Sequence, residues 1–372
     1  MKLVADRVMV DAAEAFGDFG DLSLVDGRSL APSDLADCDV LLVRSVTRVN
    51  HALLADSPVR FVGTATAGTD HIDLDYLAAR GIAFAAAPGC NARAVGEYVL
   101  ACVLALHPAR ALDGLRCGII GLGHAGSAAA RLLAAAGVSC IACDPPRAAV
   151  EGEQGFVTLA AALDADIVSL HVPLRDDGPW PTRHLLGAPE LDRMRPGALL
   201  INAARGGVVD ETALHTALTA GRLRAVLDCW MNEPAVAPAL LTRAEVATPH
   251  IAGHAREARA RGTWQLRDAL AAYLARVQPA ALAGYPPAPT LELGGQRGWA
   301  AVRAAVRHCV DPLAQSAIFR AETARHGSAV FDRLRAQFGE RREFAAQPVA
   351  LPQGDPDTAR LLQRFDFPVL TI

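Results

Sequence analysis

Short apolar runs bounded by turn-forming residues recur through the first hundred residues. Residues 3–5, 40–43, 60–63 and 82–86 each read as a strand, with capping or turn residues such as Pro32-Ser33-Asp34 and Thr69-Asp70 between them. Strand alternating with helix predicts a small α/β unit on a parallel sheet. Residues 91–106 then run through alanine, valine and leucine until Pro108, the pattern of one long helix joining two domains. The alternation resumes with strands at 117–120, up to Asp144, and at 167–171, 198–202, 225–228 and 245–248. Six parallel strands in a doubly wound sheet fit this run. Residues 254–277 read as one helix that returns the chain to the first unit. A proline-rich break at 284–290 leads into helices at 331–344 and 357–365 and a strand at 368–372. The expected domains are therefore 1–95 completed by helix 254–283, then 96–253, then 290–372.

The joint after residues 117–120 changes the picture. It reads Gly121-Leu122-Gly123-His124-Ala125-Gly126 and opens an Ala/Leu helix. In a dinucleotide site the first glycine permits the tight turn, the second lets the backbone approach the pyrophosphate, and the third lets helix and strand pack closely. The N–H groups at the start of the helix and its partial positive charge favour the phosphates. Asp144, ending the next strand, suits the adenosine ribose hydroxyls and would repel a 2′-phosphate, so NAD is expected over NADP.

Composition narrows the chemistry. Lys2 is the only lysine, which argues against Schiff-base, P-loop and lysine-base chemistry. The net charge of −4 offers no electrostatic case for nucleic acid or an anionic membrane. No apolar run approaches the ~20 residues of a membrane helix, and the N-terminus does not read as a signal peptide. Eight scattered cysteines suggest reduced thiols and a cytoplasmic setting. The pair Cys140-x-x-Cys143 lies in a strand, where such spacing faces opposite sides, and no metal site is expected.

A bound NAD calls for a proton acceptor and a substrate grip. Three loops beyond strand ends offer them: Arg205 in NAARGG, Glu233 in DCWMNEP and His250 in TPHIAG. Arg205 suits a carboxylate through paired charge-assisted bonds. His250 suits proton transfer at a hydroxyl, with Glu233 fixing its tautomer. Taken singly, each also reads as an ordinary ion pair, cap or core residue; three on successive strand ends read as catalytic. A metal pair from His250 and His254 finds no third ligand.

AGTDHIDLDYLAARGI, NARAVGEY, GIIGLGHAG, INAARGGVVDETAL, LDCWMNEP and TPHIAG resemble the D-isomer-specific 2-hydroxyacid dehydrogenases. VRSVTRVN, FVGTATAGTDHID, AAPGCNA, CDPPR and RGTWQ, with FDRLR and ERRE in the tail, are most similar to a branch acting on a phosphorylated four-carbon 2-hydroxy acid in vitamin B6 synthesis. The resemblance implies a Rossmann-type doubly wound NAD domain, a smaller flavodoxin-like α/β substrate domain and a C-terminal α+β dimerisation domain forming a homodimer. It implies catalytic Arg205, Glu233 and His250. It also implies that Asp144, Ala203, Ala204, Arg205, Asp228 and Gly253 line the NAD and that Ser45 and Thr66 bind substrate. Arg44 beside Ser45 and the Gly/Thr-rich loop after residue 63 suit a phosphate. Two positions depart from the relatives' pattern. Val172 stands where they carry threonine, and His254, expected at the substrate, where they carry tyrosine.

Two alternatives share the motifs. One is another member of the family, acting on phosphoglycerate or glycerate. The other is a corepressor-like NAD sensor, which would carry disordered extensions where this tail looks folded.

Overall fold

In the computed structural model, which describes residues 1–107, 112–275 and 286–371, the N-terminal apolar runs form a five-stranded sheet. Its strands are β1 (Lys2–Asp6), β2 (Asp21–Val25), β3 (Val40–Val43), β4 (Phe61–Thr64) and β5 (Ala83–Ala86). All pair in parallel in the order β2-β1-β3-β4-β5, the flavodoxin-like arrangement. Strand β2 was not expected. It is the sheet edge, and Asp21 and Leu24 are exposed, so its sequence DLSLV lacks the continuous apolar run of β3 and β4.

The helix Arg256–Tyr273 covers this sheet. Its Leu266, Leu270 and Ala271 share a core with Leu3, Phe16, Leu42 and Phe61. At Gly262 a Cβ would lie 2.8 Å from the Ala65 carbonyl oxygen, so glycine lets the helix pass close to the loop after β4. Residues 1–91 and 256–275 thus form one compact unit. The helix begins two residues later than expected, and the expected stretch 276–283 lies outside the described residues, as do Pro108 and the start of the proline-rich break.

The second unit holds residues 92–255 and 286–371. Its large sheet comprises β6 (Arg116–Ile120), β7 (Ser139–Cys143), β8 (Ile167–Leu170), β9 (Leu199–Asn202), β10 (Arg224–Leu227) and β11 (Val246–Ala247). The order is β11-β10-β9-β8-β6-β7, all parallel. A single parallel bridge from Ala142 to Phe156 continues the ladder beyond β7. The chain therefore reverses direction of travel between β6 and β8, the switch point of a doubly wound fold. The helix Ala92–Leu106 lies against the helix His124–Ala135. Gly96 allows it, since a Cβ there would come within 2.8 Å of the Ala128 backbone.

C-terminal residues add a three-stranded parallel sheet of β12 (Leu291–Glu292), β13 (Val349–Leu351) and β14 (Val369–Thr371), with helices Gly298–Cys309, Pro312–His326, Val330–Phe338 and Pro356–Gln363. Val306, Phe319 and Phe331 belong to the same apolar core as Val246 and Tyr98. Ser316 Oγ accepts from the Ala247 N–H at 2.8 Å, satisfying part of the buried outer edge of β11. The helix expected over 331–344 stops at Phe338. Gly339 caps it, and the chain then turns so that Glu343 and Phe344 are buried.

All eight cysteines are free thiols. Cys140 faces Cys117 in register on the neighbouring strand, and Cys143 forms no pair with it. No helix among the described residues is long and apolar enough to cross a membrane.

Candidate active site

The glycine turn after β6 is built as its spacing implies. Gly121 has φ +88°, and a Cβ on it would meet the His171 carbonyl at 2.9 Å. A Cβ on Gly126 would sit 1.9 Å from the Gly121 oxygen, so helix and turn touch only because residue 126 is glycine. Gly123 is different: it is the N-cap of the helix His124–Ala135, and a Cβ there would point into open space. With no side chain to cap it, this helix end presents N–H groups, among them those of His124 and Ala125, as an anion cradle. That is the feature a pyrophosphate needs, and it makes the turn a fit for NAD.

Asp144 follows β7 and caps the next helix through the Arg147 N–H at 3.1 Å. Its other oxygen accepts from the Leu122 N–H at 2.7 Å, tying the second strand to the glycine turn. His171 follows β8 with Nε2 2.9 Å from Ser169 Oγ, and burial pushes its pKa down to about 4, leaving it neutral. Val172, one of the two departures, comes next.

The loops after β9, β10 and β11 meet. A Cβ on Gly206 would collide with the Trp230 carbonyl carbon at 1.9 Å, so the loop after β9 lies directly on the loop after β10. Asn202 shapes the first loop, accepting from the Ala204 N–H at 3.1 Å and donating to the Arg205 carbonyl at 2.9 Å. Ala203 and Arg205 remain partly exposed there, while Ala204 is buried. Cys229 Sγ donates to the Ala204 carbonyl at 3.3 Å.

His250 and Glu233 form a direct pair, with Nδ1 at 2.8 Å and 3.0 Å from the two carboxylate oxygens. An ionised carboxylate only accepts, so Nδ1 carries the hydrogen and a neutral ring keeps its lone pair on Nε2. Burial drives the Glu233 carboxyl upward, but His250, the Trp230 N–H at 2.9 Å and Arg335 outweigh it and hold it below its usual range. Cys229, Glu233 and His250 also bring three metal-type ligand atoms within 4.8 Å of one another. Each is already engaged in a hydrogen bond, Cys229 with the Ala204 carbonyl and Glu233 and His250 with each other.

Asp228 governs the histidine turn. It is fully buried, and its carboxylate accepts from Thr248 Oγ1 at 2.6 Å, the Ile251 N–H at 2.7 Å and the Ala252 N–H at 2.8 Å. Burial raises its pKa against those three bonds and the nearby His250. Because Thr248 gives its proton to Asp228, the Tyr98 hydroxyl 2.6 Å away must donate to Thr248. Trp230 Nε1 donates to the Thr248 carbonyl at 2.9 Å. Gly253 follows in the same turn, and His254 brings Nδ1 to 3.4 Å from the Arg335 carbonyl.

Arg44, Ser45 and Thr66 belong to the other unit, at the ends of the paired strands β3 and β4. Arg44 makes an ion pair with Asp6 at 3.1 Å, and Ser45 is exposed. Thr66 Oγ1 donates to the Gly68 carbonyl at 2.8 Å and lies 2.8 Å from Thr64 Oγ1, which holds His71 Nε2 at 2.9 Å.

Tyr98, Asn202 and Thr248 were not singled out from sequence, and neither were Arg335 and Arg341. All five lay in segments that drew notice: Tyr98 in NARAVGEY, Asn202 in INAARGGVVDETAL, Thr248 in TPHIAG, Arg335 in FDRLR and Arg341 in ERRE.

The chain is similar to known proteins along nearly its whole length. Residues 104–252 match the NAD-binding domain of the D-isomer-specific 2-hydroxyacid dehydrogenases. An erythronate-4-phosphate dehydrogenase of Chromohalobacter salexigens is 42% identical, with 99% of each chain covered. One from Pseudomonas aeruginosa is 42% identical over 94% of this chain and 95% of its own. Among solved structures, a D-lactate dehydrogenase from Aquifex aeolicus complexed with NAD and lactic acid is similar with a TM-score of 0.63 and 25% identity. It matches over 96% of its own length but only 74% of this chain, leaving about a quarter of the chain without a counterpart there.

Proposed function

The chain belongs to the erythronate-4-phosphate dehydrogenases, within the D-isomer-specific 2-hydroxyacid dehydrogenases, and from that premise we propose how its residues divide the work. The reaction is NAD-dependent oxidation of 4-phospho-D-erythronate to (R)-3-hydroxy-2-oxo-4-phosphooxybutanoate, on the route to pyridoxal 5′-phosphate. The observation that carries the assignment of roles is the His250–Glu233 pair at 2.8 Å in the NAD-binding unit.

His250 Nε2 takes the proton of the C2 hydroxyl as the carbonyl forms, and returns it in the reverse direction. Glu233 accepts from Nδ1 throughout, which fixes the tautomer and stabilises the imidazolium. Arg205 holds the substrate carboxylate through its planar fork. Bound NAD supplies the hydride acceptor. The glycine turn with His124 and Ala125 would hold its pyrophosphate and Asp144 its ribose, with Ala203, Ala204, Asp228 and Gly253 along the nicotinamide half. Ser45, Thr66 and Arg44 would receive substrate, with its phosphate held by hydroxyl and guanidinium donors, and His254 would add a further donor.

A homodimer joined through the C-terminal segment completes the reading. Its support is the set of exposed apolar side chains there, Trp299, Leu313, Ile318 and Leu370. Light scattering on the intact chain, with Leu313→Asp beside it, measures this. Free buried thiols and the absence of a membrane-length helix among the described residues support a cytoplasmic setting.

The test of function is turnover with 4-phospho-D-erythronate beside 3-phospho-D-glycerate, using NAD and a 2-oxo acid as final electron acceptor. The four-carbon acid should be clearly preferred, and preference for the three-carbon acid would move the chain elsewhere in the family. Arg205→Ala and His250→Ala should each lower turnover by roughly 10²-fold or more.

A further inference from the structure

The turn carrying His250 is held from two sides. On one side stands Asp228, whose main-chain carbonyl accepts from the His250 N–H at 2.8 Å and whose carboxylate takes the next two N–H groups. On the other side stands the C-terminal segment. Arg335 Nε donates to the His250 carbonyl at 3.0 Å. Arg341 Nη2 donates to the Ala252 carbonyl at 2.9 Å and to the Ala94 carbonyl at 2.8 Å. Arg341 is itself anchored by Glu97 at 3.3 Å, and both side chains are almost wholly buried. Glu97 also accepts from the Phe344 N–H at 2.9 Å, so the segment folds around its own anchor.

The turn needs this grip. His250 has φ +55°, the left-handed region that a side chain with a Cβ rarely adopts unless its surroundings over-determine it. Donors on its carbonyl and acceptors on its N–H and those that follow supply that constraint. The same guanidinium acts on charge, because Arg335 is among the groups holding the Glu233 carboxyl down.

We infer that Arg335 and Arg341 are positioning residues that clamp the catalytic histidine's turn, which makes the C-terminal segment a working part of the active site. This rests on the reading that His250 transfers the proton. Neither arginine touches the reacting atoms in this scheme; each acts through the backbone of the turn. Misplacement of a catalytic group by ~1 Å costs ~10²-fold in rate, so a loosened turn lowers kcat while the glycine turn that holds NAD is untouched.

The electrostatic part has a sign. The charged and titratable groups around the pair are Asp228, Cys229, Glu211, Arg205, Arg335 and His254. Removing the Arg335 cation takes away one of the charges that hold the Glu233 carboxyl down, so Glu233 takes up its proton at higher pH and the acid limb of kcat/KM moves upward.

The experiment uses the full chain and compares Arg335→Gln, Arg335→Lys and His250→Ala, with active sites counted by NAD titration. Arg335→Gln should lower kcat by about tenfold or more with KM for NAD nearly unchanged, and should move the acid limb up. Arg335→Lys should restore the limb, because the charge returns, but not the full kcat, because the planar Nε donor does not. If Arg335→Gln keeps kcat per NAD-binding site and pH profile while His250→Ala is inactive, the clamp is refuted and the proton-transfer reading stands. A lower melting temperature with unchanged kcat per site refutes it equally, by reducing Arg335 to a stabilising contact. If His250→Ala itself turns over within tenfold of the parent, the underlying reading falls and the clamp with it.

Discussion

Arg147 clasps Glu151 through Nε and Nη2, both at 2.7 Å, while its Nη1 donates to the Leu122 carbonyl at 2.6 Å. A cation beside the acid expected to read the adenosine ribose would ordinarily welcome a 2′-phosphate. Here its fork is occupied by a carboxylate one helical turn away, which leaves Asp144 to set the preference. Glu151→Gln should therefore raise kcat/KM with NADP severalfold and leave the NAD value near the parent's. Asp144→Ala should relax the preference further and also weaken NAD, since it frees the Leu122 N–H as well. An unchanged NADP/NAD ratio in both variants would show that neither residue reads the ribose.

The three glycines of the turn should separate when each is replaced by alanine. Gly126→Ala drives a Cβ onto the Gly121 oxygen and should cost at least ~1–3 kcal/mol of stability. Gly123→Ala meets nothing and has φ −69°, so its melting temperature should match the parent's while NAD affinity falls. Thermal denaturation with and without NAD measures both effects. Equal affinity in Gly123→Ala would mean that the pyrophosphate lies elsewhere.

Glu233 should stay ionised across the working pH range, because its carboxyl lies below the ordinary 4.5. A depressed carboxyl contributes above its unfolded value and loses that contribution as pH falls through the folded one. Any change of rate near neutrality therefore belongs to another group. Glu233→Gln leaves His250 Nδ1 without an ionic partner and should cut kcat/KM by about 10²-fold, with KM for NAD little changed. A loss confined to KM would assign Glu233 to binding.

Tyr98, Thr248 and Asp228 form a buried relay of hydroxyl donors ending on one carboxylate. Tyr98→Phe keeps the packing and removes only the first donor. It should cost about 1 kcal/mol of stability, read by urea denaturation, with kcat close to the parent's. A large loss of kcat would show that the relay tunes Asp228 during turnover.

Most strands were legible because β3, β4, β8 and β9 are buried throughout and write themselves as apolar runs. Three strands were not: β2 is a half-exposed edge, β12 is two residues long, and β13 is buried but only three residues long, so none carries a sustained apolar run. The Glu233 and His250 loops announced themselves by following strands, and the structure brings these two residues into direct contact. Arg335 and Arg341 gave no comparable signal. Their partners, His250 and Ala252, are main-chain carbonyls 85 and 89 residues away, and a carbonyl has no letter in a sequence. The early end of the helix Val330–Phe338 was hidden for the same reason, since the turn after it serves a buried bond between Phe344 and Glu97.

The helix Arg256–Tyr273 has a consequence for synthesis of the chain. A ribosome that has finished all five strands of the first sheet has not yet made Leu266, Leu270 or Ala271, which cover Leu42 and Phe61. All six strands of the large sheet are translated in the interval. The first sheet thus waits with an apolar face open while the whole of the large sheet is made, a window for chaperone capture or nonproductive association. The long sequence separation of those contacts also makes closure of this sheet a slow event in refolding.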